Sequence, residues 1–268
     1  QSKVSQGVTT EVTGNCGFSP FPINPRHMQL HVDLLAGIGD DAMEISWTDL
    51  EGYRNVAQRQ GIAVNVAPLV GHGALRIAAM GVEARPARAQ EMAQMQQLLE
   101  RQLDQGAFGL STGLTYVPSR YAPIEELVSL CETLARRKRL YASHARDKDL
   151  LGDDPRYGPL NELLHLGRST GARVQFSHAA INSPSLWGSA GAWTERFDAA
   201  VAEGVDAGFD VYPYDASSSA LTQYLPAWVQ EGGVAAMRER LSDEATMARA
   251  ETELAQGWSA SRIPWLWD

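Results

Sequence analysis

The sequence predicts an α/β fold, a (β/α) barrel of the TIM type that is incomplete, with about six of its eight strands present. Strand-like and helix-like segments alternate along the chain, which implies a parallel sheet. Side chains of the kind that bind metals follow at least three non-adjacent strands. A closed ring of strands brings such side chains to one centre, whereas an open doubly wound sheet gathers its site at a single switch point. We therefore prefer the barrel.

Apolar and β-branched runs supply the strand candidates, which are residues 8–13, 62–70, 108–111, 140–143, 174–177 and 207–212. Between them, segments such as 92–105 and 124–137 place their apolar residues on one helical face. Gly61, Gly106 and Gly171 precede strands and are typical helix stop signals. The sequence therefore contains separate signals for the strands and for the helices of the alternating pattern.

We interpret residues 1–268 as a single catalytic barrel domain. The charged segment 238–262 is predicted to be helical and to lie outside the barrel or over its mouth. The chain begins at Gln1 without a methionine and stops at Asp268 directly after an apolar stretch. We expect it to be an internal piece of a longer protein, a fragment without the first and last barrel strands.

Composition excludes several classes of protein. A net charge of -9 opposes binding to nucleic acid, and no run approaches the roughly 18 apolar residues that a membrane helix needs. Two cysteines cannot build a disulfide scaffold. An apolar fraction of 44% and a charged fraction of 21% are ordinary for a soluble globular enzyme. We expect a cytoplasmic protein that acts on a small molecule. The oligomeric state stays open.

Two histidines and a cysteine follow predicted strands. His144 and His178 each come after a serine at a strand end, and Cys16 lies in an Asn-Cys-Gly turn after the first β-rich run. Two imidazoles and a thiolate are good zinc ligands. Each residue alone has a plainer interpretation, a buried structural cysteine or a histidine satisfied by hydrogen bonds. Because the two histidines follow successive strands and the cysteine follows a further strand, the sequence favours a zinc site.

Other candidates are weaker. His72 follows a strand end, where it either lines the pocket or bonds its own loop. His27 and His31 are four apart, but nearby prolines and charges favour a surface loop over a metal site. His165 is expected in solvent, and Cys131 on the apolar face of a helix.

Polar residues near the strand ends suit a polar substrate. Arg146, two positions after His144, is a candidate clamp for a carboxylate, although an exposed ion pair explains it nearly as well. The segment 210–219 places two phenols and several hydroxyls at a strand end. The segment 109–113 lacks the lysine and the spacing of a Walker phosphate loop.

Together these motifs resemble the N-acyl-D-amino-acid deacylase (D-aminoacylase) family of the amidohydrolase superfamily, in the family's order from about residue 7 to 226. They are Gly7-Val8-Thr9-Thr10, Gly14-Asn15-Cys16-Gly17-Phe18-Ser19, Leu69-Val70-Gly71-His72-Gly73, Gly109-Leu110-Ser111-Thr112-Gly113-Leu114 with Tyr116 and Tyr121-Ala122, the two Ser-His strand ends, and Asp210-Val211-Tyr212-Pro213-Tyr214.

The resemblance implies a zinc-dependent hydrolase that releases a free D-amino acid from its N-acyl derivative. It assigns Cys16, His144 and His178 to the tight metal site, and Tyr212 and Ser218 to the substrate carboxylate. Zinc would lower the pKa of a water molecule to about 7 and polarise the acyl oxygen.

The sequence departs from the family in three places. The His-x-His pair of the first strand would precede Gln1, and the catalytic aspartate of the last strand would follow Asp268, so the general base is expected outside the chain. Ala180 stands where the family usually has a lysine, which weakens the assignment of the carboxylate site. Arg146 is the candidate replacement.

Two alternatives remain open at this point. A related amidohydrolase would act on a cyclic amide or an N-acyl peptide with the same barrel and metal. A catalytically silent fragment would bind a metal or a partner protein without turnover, and the absent first and last strands favour that interpretation.

Overall fold

The computed structural model describes residues 3–36, 38, 44–146, 158–181, 187–216, 218 and 220–255. Within these residues a single sheet contains six strands in chain order, each parallel to its neighbours. The strands are β1 (Thr10–Thr13), β2 (Asn65–Gly71), β3 (Gly109–Gly113), β4 (Leu140–His144), β5 (Arg173–Phe176) and β6 (Ala207–Phe209). The sheet curls into a half-barrel, which confirms the incomplete TIM-type barrel.

Nine α-helices lie in the described part of the chain, and most of them connect successive strands. They are α1 (Met28–Leu35), α2 (Leu50–Gln60), α3 (His72–Met80), α4 (Ala89–Asp104), α5 (Ile124–Arg137), α6 (Gly158–Thr170), α7 (Ala190–Ala202), α8 (Val234–Leu241) and α9 (Glu244–Glu253). No helix among the described residues is long and apolar enough to cross a membrane.

The predicted elements are present with shifted ends. The first strand begins at Thr10, two residues later than predicted, and follows a 3-10 turn at Val4–Gln6 that ends at Gly7 in the left-handed region. The stop signals are confirmed, since Gly61, Gly106 and Gly171 have φ of 82°, 108° and 73°, values that favour glycine.

The segment 238–262, which was predicted to be helical, is largely helical in its described part. This region contains two helices, α8 and α9, which are separated at Asp243. The Asp243 carboxylate accepts a hydrogen bond from the Thr246 N–H at 2.8 Å, which caps the start of α9. Residues 256–262 lie outside the described residues.

The core lies between the sheet and the helices on its outer face. Val70, Leu110 and Tyr141 from β2, β3 and β4 are fully buried, as are Leu99 from α4 and Leu130 from α5. Complete burial of these side chains supplies the hydrophobic driving force that fixes the helices on the sheet. Cys131 of α5 belongs to the same core, which confirms that prediction.

A buried ionic cluster joins α3 to α5. The Glu126 carboxylate receives both a hydrogen bond from Arg76 at 2.7 Å and a contact with the His72 Nε2 at 2.9 Å. Burial opposes ionisation of Glu126, but the hydrogen bond with His72 and the charge of Arg76 hold its pKa at about 2. His72 therefore neither lines a pocket nor lies in a loop: it is a fully buried residue at the start of α3.

The surface loop predicted around His27 and His31 is wrong. His31 lies on α1 and is only 1% exposed, and the His27 ring contacts the carbonyl of Ile77 at the end of α3. The apolar residues of α1 pack on α3, and this contact overrides the local signal from the prolines. His165, as predicted, is exposed on α6.

Candidate metal centre

Cys16, His144 and His178 meet at the carboxyl end of the sheet, and their ligand atoms all lie within 4.8 Å of one another. The Cys16 Sγ is 3.4 Å from the His178 Nε2, and the two imidazole rings have centroids 4.5 Å apart. In tetrahedral zinc sites with bonds of 2.0–2.3 Å, neighbouring ligand atoms are about 3.5 Å apart. The donor set and its spacing therefore fit zinc with one position left for a further ligand.

The Cys16 thiol is presented by a tight turn after β1. Gly14, Cys16 and Gly17 have φ of 80°, 56° and 80°, so three of four successive residues adopt the left-handed region. For a cysteine this conformation is unfavourable and persists only where neighbours hold it. The conformation of the turn is consequently maintained by contacts with the surrounding residues.

His178 is held by the next strand. It has a φ of 41°, and its N–H donates to the Asp210 carboxylate at 2.7 Å. Asp210 follows β6 directly, so its side chain reaches back across the sheet to the end of β5. Its other carboxylate oxygen accepts a hydrogen bond from Gln175 at 2.9 Å. Asp210 therefore holds the backbone of His178 in place.

The third candidate ligand, His144, is the last residue of β4. Its Nε2 lies 3.0 Å from the Thr115 hydroxyl, and its ring packs against Tyr116 with centroids 4.8 Å apart. A histidine ligand normally needs a partner that fixes the orientation of its ring. The sequence did not indicate Thr115 for this role, since a threonine after a strand has no distinguishing signal.

The surroundings of the Cys16 thiol disfavour its ionised form. Burial and then the charge of Asp210 raise the pKa of Cys16 to about 11. The thiol is therefore protonated in the metal-free protein at neutral pH. A divalent cation reverses this preference, because a coordinating thiol is deprotonated outright.

A cavity of about 710 Å³ opens beside the cysteine. Ser218 and Cys16 both lie in its wall, together with Tyr116 and apolar side chains from α1, α3 and α8. Tyr212 is half-buried with its ring centroid 6.4 Å from that of His178. Ser218 thus shares a cavity with Cys16, and Tyr212 lies beside His178.

Arg146, the predicted clamp for a substrate carboxylate, is bound to groups of the protein itself. Its guanidinium donates to both carboxylate oxygens of Glu162 at 3.0 and 3.1 Å, and to the carbonyls of Ala122 and Arg120 at 2.6 and 3.3 Å. The residue is only 8% exposed. This arrangement ties α6 to the loop before α5 and leaves the predicted carboxylate clamp without structural support.

No family model matches the chain. Two curated proteins of Alcaligenes xylosoxydans xylosoxydans are similar to it: N-acyl-D-glutamate deacylase at 38% identity and D-aminoacylase at 34%, each over 82% of the chain. The matches cover 43% and 44% of those proteins, so the chain spans less than half of their length.

A solved structure shares the fold as well. N-acyl-D-glutamate deacylase from Bordetella bronchiseptica, which was crystallised with zinc and a phosphonate mimic of the tetrahedral intermediate, superposes with a TM-score of 0.68 at 36% identity. The match covers 79% of this chain and 43% of that one. The family resemblance of the sequence is thereby confirmed, and the chain belongs to the D-aminoacylase family of amidohydrolases.

Proposed function

We propose that the chain supplies the central part of a zinc-dependent deacylase site, which hydrolyses an N-acyl-D-amino acid to the free D-amino acid and a carboxylate. The observation that carries this proposal is the cluster of Cys16, His144 and His178 at the carboxyl end of a parallel sheet. The similarity to deacylases over most of the chain supports it.

In this proposal Cys16, His144 and His178 hold the metal. Bound zinc supplies Lewis acidity, which activates a water molecule at neutral pH and polarises the amide carbonyl. The residues of the chain position the ligands. The turn fixes Cys16, the hydrogen bond from the His178 N–H to the Asp210 carboxylate fixes His178, and Thr115 fixes the ring of His144. A site held in this way needs little reorganisation during the reaction.

The substrate carboxylate is assigned to the hydroxyls of Tyr212 and Ser218. Ser218 lies in the wall of the cavity that Cys16 also lines, and Tyr212 stands beside His178. Two hydroxyls that bind the substrate carboxylate would orient the amide bond towards the metal.

We place the general base and the remaining barrel strands in the part of the family's length that the chain does not span. Residues 1–268 then form one piece of a single barrel domain. A small-molecule N-acyl amino acid is the proposed partner, and the cytoplasm the proposed location.

The test uses the chain extended at both ends to the length of its relatives and loaded with zinc. N-acetyl-D-amino acids should be hydrolysed in preference to their L-enantiomers, hydantoins and dihydropyrimidines. Preference for the cyclic amides would favour the related amidohydrolase instead. Zinc binding without turnover on any amide would favour the silent fragment.

The role of Tyr212 has its own test in the extended protein. A hydrogen bond to a charged group contributes about 1.5–3 kcal/mol, so Tyr212→Phe should lower kcat/KM roughly ten- to hundredfold for N-acyl-D-amino acids. An acylated amine without the carboxylate is the control substrate and should lose much less. Equal losses of kcat/KM on both substrates would show that Tyr212 does not bind the substrate carboxylate.

A further inference from the structure

The turn that carries Cys16 depends on hydrogen bonds from other parts of the fold. Three of its residues adopt left-handed backbone conformations, one of them the cysteine itself. The turn receives bonds from elsewhere in the fold, among them one from the Gly73 N–H to the Gly17 carbonyl at 3.0 Å. This bond fixes one side of the turn to the start of α3.

Ser111 of β3 fixes both ends of the same turn. Its hydroxyl accepts a hydrogen bond from the Gly17 N–H at 3.0 Å and donates to the Gly14 carbonyl. Ser111 is fully buried. A single hydroxyl thus acts as donor and acceptor across the two residues that flank Asn15 and Cys16.

This contact reaches across the intervening strand. The turn follows β1, while Ser111 belongs to β3, and Gly71 of β2 pairs with Ser111 between them. A Cβ added at Gly71 would come within 2.5 Å of the Gly17 carbonyl oxygen. The absence of a side chain at Gly71 therefore lets the turn lie over β2 and reach the serine.

We propose that Ser111 is a positioning residue for Cys16: its hydroxyl closes the Gly14–Gly17 turn and so aims the thiol at His144 and His178. Ser111 contacts neither metal nor substrate in this role. The inference rests on the proposed metal centre, but the hydrogen bonds that support it join groups of the protein alone.

The experiment compares Ser111→Ala with wild type by two measurements. The first is zinc affinity by competition with a chromophoric chelator, where loss of the support should weaken binding roughly 10–100-fold. The second is the rate at which iodoacetamide alkylates Cys16 in the metal-free protein, followed by peptide mass analysis. That rate should rise, because the thiol would no longer be held in its half-buried position. Cys131, which is fully buried, is the internal reference.

Thr112→Val is the matched control. Thr112 is the next residue on β3 and is equally buried, but its hydroxyl bonds to Tyr141 and Ser143 and not to the turn. This variant should lose comparable stability in urea and keep both zinc affinity and the alkylation rate near the wild-type values. Ser111→Thr, which retains the hydroxyl, should recover most of the zinc affinity.

Three results would overturn the proposal. The first is an unchanged zinc affinity and alkylation rate in Ser111→Ala, and the second is an equal change of both quantities in Thr112→Val. The third is loss of folding in Ser111→Ala while Thr112→Val folds, since the Ser111 hydroxyl would then be a general requirement of the sheet. If wild type bound no zinc, the metal centre would fail, and the alkylation comparison would decide the role of Ser111 by itself.

Discussion

Replacing His31 with leucine should remove a large part of the acid sensitivity of the fold. His31 is 1% exposed on α1, and neither ring nitrogen has a hydrogen-bond partner among the described residues. Burial lowers its pKa from 6.5 to about 4. The neighbouring Leu30 and Leu34 line the cavity beside Cys16, so the stability of α1 bears directly on the shape of the site.

The direction in which the free energy of unfolding changes with pH follows from proton binding. Between pH 6.5 and about 4 the imidazole is protonated in the unfolded chain and neutral in the folded one. The unfolded state binds more protons in that window, so the free energy of unfolding falls as the pH falls. The loss is about 2 kcal/mol at pH 5 and about 3 kcal/mol near pH 4, from 1.36 kcal/mol per pKa unit.

Urea unfolding at pH 7 and pH 5 measures this difference. The wild type should lose about 2 kcal/mol more between these pH values than His31→Leu does. Leu34→Ala on the same helix is the control, since it should lower stability equally at both pH values. If His31→Leu and wild type had the same pH dependence, the buried, uncharged state of His31 would be refuted.

Three further changes have defined outcomes. Glu126→Gln should lower the free energy of unfolding by roughly 3–5 kcal/mol at pH 7 in urea, because it leaves the buried Arg76 without its counter-charge. Asp210→Ala should weaken zinc binding roughly tenfold in a chelator competition, because it frees the backbone of His178; unchanged affinity would contradict that role. The chain of 268 residues by itself should not release D-amino acid at an enzymatic rate of about 1–1000 per second, and a normal rate would place a general base within these residues.

The sequence predicted the sheet and indicated the three candidate ligands, because both leave local signals. Alternating runs and stop glycines mark the strands and helices, and a histidine after a strand end is visible without coordinates. The strand order along β1 to β6 follows from the same alternation. The family resemblance added the roles of the ligands, which the spacing of the residues alone left open.

The supporting contacts could not be predicted, because they join residues far apart in sequence. Ser111 and Gly14 are 97 positions apart, and His178 and Asp210 are 32 apart. The partner of Arg146 is Glu162, and nothing in either residue's neighbourhood distinguishes this buried pair from a substrate clamp. The helix at His31 was missed since its packing on α3 outweighs the prolines that precede it.

The central claim is that Cys16, His144 and His178 hold one zinc ion, and metal content tests it most directly. After loading with zinc and dialysis, the wild-type chain should contain about one zinc per chain, as a three-ligand site with an open position requires. Cys16→Ala should lose most of it, whereas Cys131→Ala, which removes the other thiol from the core, should retain it. Equal zinc content in wild type and Cys16→Ala would contradict the assignment.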